Sequence, residues 1–329
     1  MRKKVVLFLA GLCACLTSYC QDPEFTQFYA NPIYLNPAMA GSNICPRFRM
    51  NHRNQWANIS GAYVTSSASW DRYYDALHGG VGVMITNDMA GKNTINWNSI
   101  NLVYSYYLKV TRNFSILMGA QAGWNQKFLD WNKLAFGDQI DPRDGFVYAT
   151  NDIPSGRLLK DRWGTRGFFD VSAGIVAYSK KVYGGVALKH LNTPNQSLKL
   201  GRSDLPIRLT THIGFDIPVG TESKYVNTTS FSPNIIYTYQ DGFMQLNMGT
   251  YFKHGVFTAG FWWRTSRRSD SVILTTGIQS GTMKIGYSYD ITVSELTNVT
   301  GGSHELSLGV DMNCKIKKKN FRTISCPSF

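Results

Sequence analysis

The sequence predicts an all-β membrane protein, a transmembrane antiparallel β-barrel of about 14 strands preceded by a proline-broken segment. The first observation is strand-period alternation. Ile207, Leu209, Thr211, Ile213, Phe215, Ile217 and Val219 share one parity, while Arg208, Thr210, His212, Gly214, Asp216 and Pro218 share the other. One such face suits lipid and the other water, whereas a helical stripe would recur every three to four residues. The second is composition: 13% aromatic and 17% charged residues with 30 Gly, 18 Tyr and 18 Phe fit a wall whose lipid face and girdles are aromatic and whose lumen is polar. The third is that beyond the first residues no apolar run reaches the roughly 18 to 20 residues needed to cross a bilayer as a helix.

Residues 1–20 read as a secretory signal peptide. They hold a basic start (Arg2, Lys3, Lys4), an apolar run from Val5 to Leu16 and small residues at Thr17 and Ser18. Lipid attachment at Cys20 is disfavoured by the bulky Tyr19, so cleavage near Cys20 leaves Gln21 as the mature start. Residues 21–44 contain Pro23, Pro32 and Pro37 and no sustained alternation, too broken for a long helix or an inner strand. Their Phe25, Phe28, Tyr29, Ile33, Tyr34, Leu35 and Met39 need cover, which a plug inside the barrel or a periplasmic docking peptide would both give. For Gln27, Asn31 and Asn36 the plain account is turn and cap chemistry, with Asn-Pro steps at Asn31 and Asn36.

The barrel proper is placed at 45–314. Strands are expected at 45–56, 63–71, 79–87, 97–108, 113–128, 168–179, 181–190, 207–219, 230–240, 245–253, 256–265, 271–279, 283–289 and 304–314. The number is even, as bacterial barrels require. With both termini periplasmic, connections after odd-numbered strands face outward and should be the longer ones. The three longest gaps follow the fifth, seventh and thirteenth strands; 220–229 is a long connection on the opposite side, so the strand pair beside it is a candidate for misplacement. Residues 315–329 form a basic periplasmic tail with Lys315, Lys317, Lys318, Lys319 and Arg322.

Removing Arg2, Lys3 and Lys4 from the 34 basic residues leaves 31 against 21 acidic ones. The cations are scattered outside the tail and no nucleic-acid module accompanies them, so acidic headgroups or an acidic periplasmic partner fit better than nucleic acid. Cys13, Cys15 and Cys20 leave with the signal, and the remaining Cys45, Cys314 and Cys326 enter an oxidising compartment. Parity puts Cys45 and Cys314 at the periplasmic ends of the first and last strands, so a Cys45–Cys314 bridge would lock the seam. A Cys314–Cys326 bridge, folding the tail back, is one alternative, and free thiols or exchange with another protein are the other.

Catalytic and metal chemistry find no spacing to support them. His52, His78, His190, His212, His254 and His304 are scattered, without a His-Glu-x-x-His arrangement, and read as polar groups of a wet barrel. No Gly-x-Ser-x-Gly elbow or phosphate loop occurs, and no cofactor is implied. Asp138, Asp141, Asp144 and Asp152 offer hard oxygen ligands without an EF-hand order, so a solvated loop is the expectation. Trp70, Trp97, Trp124, Trp131, Trp163, Trp262 and Trp263 are assigned to interfacial girdles.

Two motifs go further. Residues 21–42, QDPEFTQFYANPIYLNPAMAGS, resemble the opening signature of the PorP/SprF family, outer-membrane proteins of the type IX secretion and gliding apparatus of Bacteroidota. Gly286-Tyr287-Ser288-Tyr289-Asp290 followed by Gly301-Gly302-Ser303-His304-Glu305-Leu306-Ser307-Leu308-Gly309 is similar to the family's second hallmark. The matching positions are Gln27, Asn31, Pro32, Asn36, Pro37 and Gly41, then Gly286, Tyr287, Tyr289, Asp290, His304, Glu305 and Leu308, expected to serve the fold or a partner rather than bond making. The resemblance implies a non-enzymatic barrel in outer-membrane lipid. It would link that membrane to other type IX components in the periplasm, or handle the C-terminal signal domain of a secreted surface adhesin. The rival readings are a passive or ligand-specific pore and, more weakly, a surface lipid-modifying enzyme.

Overall fold

The computed structural model describes residues 22–111, 113–130, 133–134, 137–141, 143–148, 165–198, 202–219, 229–266, 270–293 and 300–314, Asp138 without its side chain. Residues 1–21 and 315–329, with the signal peptide and the basic tail, lie outside them, as do Trp131, Asp152, Trp163 and Cys326.

Fourteen antiparallel strands close into one barrel. They are β1 (Arg47–Gln55), β2 (Tyr63–Tyr74), β3 (Gly79–Ala90), β4 (Ile95–Lys109), β5 (Ser115–Leu129), β6 (Thr165–Tyr178) and β7 (Val182–Lys189). Then follow β8 (Arg208–Phe215, continued past Asp216 as Ile217–Val219), β9 (Thr229–Gln240), β10 (Phe243–His254), β11 (Phe257–Ser266), β12 (Asp270–Ser280), β13 (Met283–Thr292) and β14 (Ser303–Asp311). Each pairs with its chain neighbour, and β1 pairs with β14, Arg47 opposite Asp311 and Gln55 opposite Ser303. Closure removes every sheet edge, so the strands' backbone groups are satisfied within the bilayer. The suspect pair beside 220–228 is genuine: Val219 pairs with Thr229 and Arg208 with Gln240, so a longer connection does sit at the short-turn end.

Period-two alternation sorts the wall. Ile100, Leu102, Tyr104, Tyr106 and Leu108 point outward and are exposed, while Asn101, Val103 and Ser105 between them are buried inside. In β1 the inward set is Arg47, Arg49, Asn51 and Arg53, all buried. Four such polar residues on one strand require partners in the lumen, because a buried charge is tolerated only when paired.

Their carboxylate partners are Asp71, Asp290, Glu305 and Asp311 of the wall, and residues 22–42 add the Met39 carbonyl for Arg47 and the Thr26 hydroxyl for Arg53. A short 3₁₀ turn (Phe28–Ala30), a one-turn helix (Pro32–Leu35) and a second 3₁₀ turn (Pro37–Met39) follow one another, with Pro32 and Pro37 each opening a turn where no backbone donor is needed. The segment runs along the bore. Asp22 lies beside His190, just past the end of β7 and next to the long connection to β8, and Gly41 meets Gly80 at the start of β3, at the short-turn end. Parity alone puts this segment on the short-turn side; only its Cys45 end is there, and Asp22 lies at the opposite mouth.

At that short-turn end Cys45 and Cys314 form a disulfide, their Cα atoms 5.5 Å apart across the β1–β14 seam. Cys314 is therefore not available to Cys326.

Candidate functional site: the filled lumen

The segment is held at both mouths by charge and in the middle by apolar packing. At the long-loop end, Asp22 Oδ2 lies 2.8 Å from His190 Nε2, and His190 Nδ1 lies 3.0 Å from Asp170 Oδ1. Burial works against the His190 imidazolium, but the two carboxylates outweigh it and raise the group to about 9. Burial likewise opposes the Asp22 carboxylate, yet His190, Arg208 and Lys189 hold it well below the usual range. Glu24 accepts from Arg208 Nη2 at 3.2 Å and from Gln245 Nε2 at 2.6 Å.

A second anchor joins the segment to the last strand. The Thr26 backbone N–H donates to Glu305 Oε2 at 2.6 Å and that of Gln27 to Glu305 Oε1 at 3.2 Å. Gln27 Nε2 donates to the Glu305 carbonyl at 3.0 Å, and Ser307 Oγ donates to Gln27 Oε1 at 2.5 Å. Glu305 is also 3.6 Å from Arg53, whose other nitrogen lies 2.7 Å from Asp290; Arg264 reaches the same Asp290 oxygen at 3.1 Å. Two guanidinia and two carboxylates, all buried, thus form one network around the segment.

Apolar packing fills the middle. Tyr29, Leu35, Ala38 and Met39 pack with Leu117, Val176, Tyr183, Ile236, Tyr251, Trp262 and Ile273, and Ile33 packs with Met84 and Val103. These wall residues have the inward parity that is otherwise polar, so the lumen carries an apolar belt where the segment crosses it. Asn31 Nδ2 donates to Ser67 Oγ at 2.7 Å. Asn36 caps the following turn through Ala38 N at 3.0 Å and donates to the Ile175 and Val186 carbonyls, both at 3.2 Å.

Where the segment leaves, the Gly41 N–H donates to Asp71 Oδ2 at 2.6 Å, and Arg47 joins Asp71 Oδ1 at 2.7 Å to the Met39 carbonyl at 2.6 Å. Gly41 has a φ of +65°, and a Cβ on Gly80 would lie 2.2 Å from the Ala40 carbonyl oxygen. Only two glycines let the backbones approach this closely.

The sequence-derived residues therefore divide by face. Gln27, Asn31, Pro32, Asn36, Pro37 and Gly41 lie in the lumen, and Gly286, Asp290 and Glu305 line it. Tyr287, Tyr289, His304 and Leu308 carry the outward parity of β13 and β14. Outside, Tyr287 Oη lies 2.8 Å from His304 Nδ1, and the Tyr289 and His304 rings are 4.9 Å apart.

Two girdle assignments need correction. Trp262 is fully buried against Phe28 and Tyr251, while its neighbour Trp263 points outward. Adjacent strand residues face opposite sides, so only one of the pair can reach lipid. Trp97 also faces inward, its Nε1 donating to Asn125 Oδ1 at 3.1 Å. The histidines split as well: His190 and His212 are lumenal, whereas His52 and His254 are exposed and bonded to Ser66 and Thr229. In the long loop Asp141 accepts the Arg143 and Asp144 backbone N–H groups, a local turn. Among the described residues no cluster of three His, Cys, Asp or Glu could hold a metal ion.

The anchors Asp22, Thr26, Arg53, Asp71, Asp170, Arg208 and Arg264 were not singled out from sequence. The usable signal was three arginines on the inward parity of β1, which demand carboxylates from somewhere in the lumen.

Solved structures similar to this chain are membrane barrels. The toluene transporter TodX of P. putida aligns with a TM-score of 0.50 at 9% identity over 85% of this chain and 93% of its own. The monoaromatic hydrocarbon channel CymD aligns at 0.48 and 12% over 88% and 94%. The outer membrane protein Omp33 of Acinetobacter baumannii aligns at 0.43 and 9% over 83% and 100%. At these identities the likeness concerns the fold alone. No curated protein matches the chain. A family model described as the type IX secretion system membrane protein PorP/SprF matches residues 17–310, and the chain accordingly belongs to the PorP/SprF family of outer-membrane β-barrels.

Proposed function

We propose that this protein is a non-enzymatic barrel of the type IX secretion and gliding machinery, whose lumen is closed by its own N-terminal segment. It links the outer membrane to periplasmic components, or handles the C-terminal signal domain of a secreted surface adhesin. The observation that carries this reading is the meeting of the two signature motifs inside the bore, Gln27 against Glu305 and Gly286. A segment bonded at both mouths and packed through the middle supports a plugged scaffold over an open pore. The outward Tyr287, Tyr289 and His304 cluster supports contact with a neighbour in or near the membrane.

The test is deletion of residues 22–44 in a secreting cell. Loss of adhesin from the surface with the barrel still inserted supports the reading. Normal secretion by an inserted, deleted barrel overturns it, as does a large selective current through the intact protein in planar bilayers. Affinity purification in mild detergent then separates the two roles: periplasmic ring components support linkage, and an adhesin signal domain supports cargo handling.

A further inference from the structure

Between the start of the segment and the inner faces of β3 to β7 lies a cavity lined by Asp22, Tyr34, Thr86, Trp97, Gln121 and Asn125, with Asp88, Asp170, Lys189 and His190 around it. Its polar lining is only partly used. Asp22 Oδ1, Thr86 Oγ1, Gln121 Oε1 and Asn125 Nδ2 are buried and, among the described residues, have no hydrogen-bond partner. Lys189 is 7% exposed and, among the described residues, has no hydrogen bond or ion pair; its ammonium sits 3.6 Å from the centre of the Tyr34 ring. Unpartnered buried polar groups cost about 1–3 kcal/mol each, so their convergence on one space points to an occupant.

The charges narrow its class. A cation would meet Lys189 and the His190 imidazolium, and an anion would meet Asp22, Asp88 and Asp170. The free atoms are acceptors (Asp22 Oδ1, Gln121 Oε1), a donor (Asn125 Nδ2) and the Thr86 hydroxyl, which is both, and the Lys189 ammonium over the Tyr34 ring is a further donor nearby. Hydroxyl groups, which donate and accept, answer such a set without introducing charge. Trp97 and Tyr34 add aromatic walls, and Met84 adds an apolar one. We infer that this cavity is a binding site for one unit of a neutral saccharide, free or as the end of a glycan carried on a lipid. The site lies at the long-loop mouth and is separate from the motif contacts at Glu305.

The intact protein in detergent is titrated with a panel of methyl hexopyranosides, with saturation-transfer NMR and calorimetry as readouts. Glycine, lysine and glutamate serve as charged comparators. Gln121→Leu and Thr86→Val remove free polar atoms without touching a plug bond, and retention of the heat-modifiable folded band on electrophoresis certifies the barrel. The expected result is saturable binding of at least one glycoside, weakened about tenfold or more by Gln121→Leu. Vesicles with and without lipopolysaccharide, assayed with the same variants, assign the natural source. Failure of every glycoside and of the glycolipid to bind, the cavity then holding water only, overturns the inference. So does binding unchanged in both folded variants, or a preference for the charged comparators. None of these outcomes touches the secretion phenotype of the 22–44 deletion, so the two proposals fail separately.

Discussion

Gln27 Nε2 donates to the backbone carbonyl of Glu305 at 3.0 Å, joining residues 278 positions apart at the inner face of the last strand. The Glu305 carboxylate accepts the backbone N–H groups of Thr26 and Gln27 and the Thr26 hydroxyl, and Ser307 Oγ donates to Gln27 Oε1, so five bonds fix the segment to the strand that closes the barrel. Plug seating and barrel closure are thereby coupled.

Glu305→Ala should be strongly destabilising. It strands the Thr26 and Gln27 donors and removes one of two carboxylates facing buried Arg53. Breaking a buried charge network costs about 3–5 kcal/mol. Thermal unfolding in detergent, followed by the heat-modifiable band, should fall well below wild type, with Glu305→Gln intermediate.

Gly286→Val tests the same seat by shape. A Cβ there would lie 2.5 Å from Gln27 Oε1 and 2.6 Å from Ser307 Oγ, and overpacking of this kind costs about 1–3 kcal/mol. The barrel should still form while residues near Gln27 become sensitive to limited proteolysis. Unchanged protection would argue against the tight seat.

Removing the seam disulfide by Cys45→Ser should lower the unfolding temperature, because the bond closes a sequence separation of 269 residues. Losing such a link costs about 2–5 kcal/mol. On non-reducing electrophoresis of the denatured protein, wild type should run faster than the variant, and neither Cys45 nor Cys314 should take a thiol label before reduction.

The His190 latch gives a pH signature. Its folded value of about 9 lies above the ordinary 6.5, so its contribution is complete below about pH 6.5 and is lost as pH rises toward 9. The shift corresponds to on the order of 3 kcal/mol. Asp22 has the opposite sign: its carboxylate is depressed, so its contribution is present above the ordinary carboxylate range and is lost in acid. Melting temperature should therefore decline between pH 6.5 and 9 in wild type, and His190→Gln should flatten that slope.

How far the sequence is legible follows from range. Alternation in β8, β4 and β14 is a property of each strand alone, so strand positions and faces could be read from residue order. The even strand number and the placement of the longest connections after β5, β7 and β13 followed from the same pattern. Position near a strand end misassigned Trp262 and Trp97 to girdles, because it gives depth along the wall and not which parity meets lipid when both are apolar or aromatic.

The site was legible as motifs and illegible as contacts. Residues 21–44 announce, through Pro23, Pro32 and Pro37, that they are neither a long helix nor an inner strand, and their apolar side chains announce that something covers them. That the cover is the inner wall, that Arg47 and Gly41 share Asp71, and that Gln27 meets Glu305 across the chain were decided by tertiary structure alone. The sequence by itself determined the barrel and its family, because those rest on local period and local motif. Only closure of the barrel decided what fills it, because the inward charges of separate strands find their partners only once the fourteen strands surround a common space.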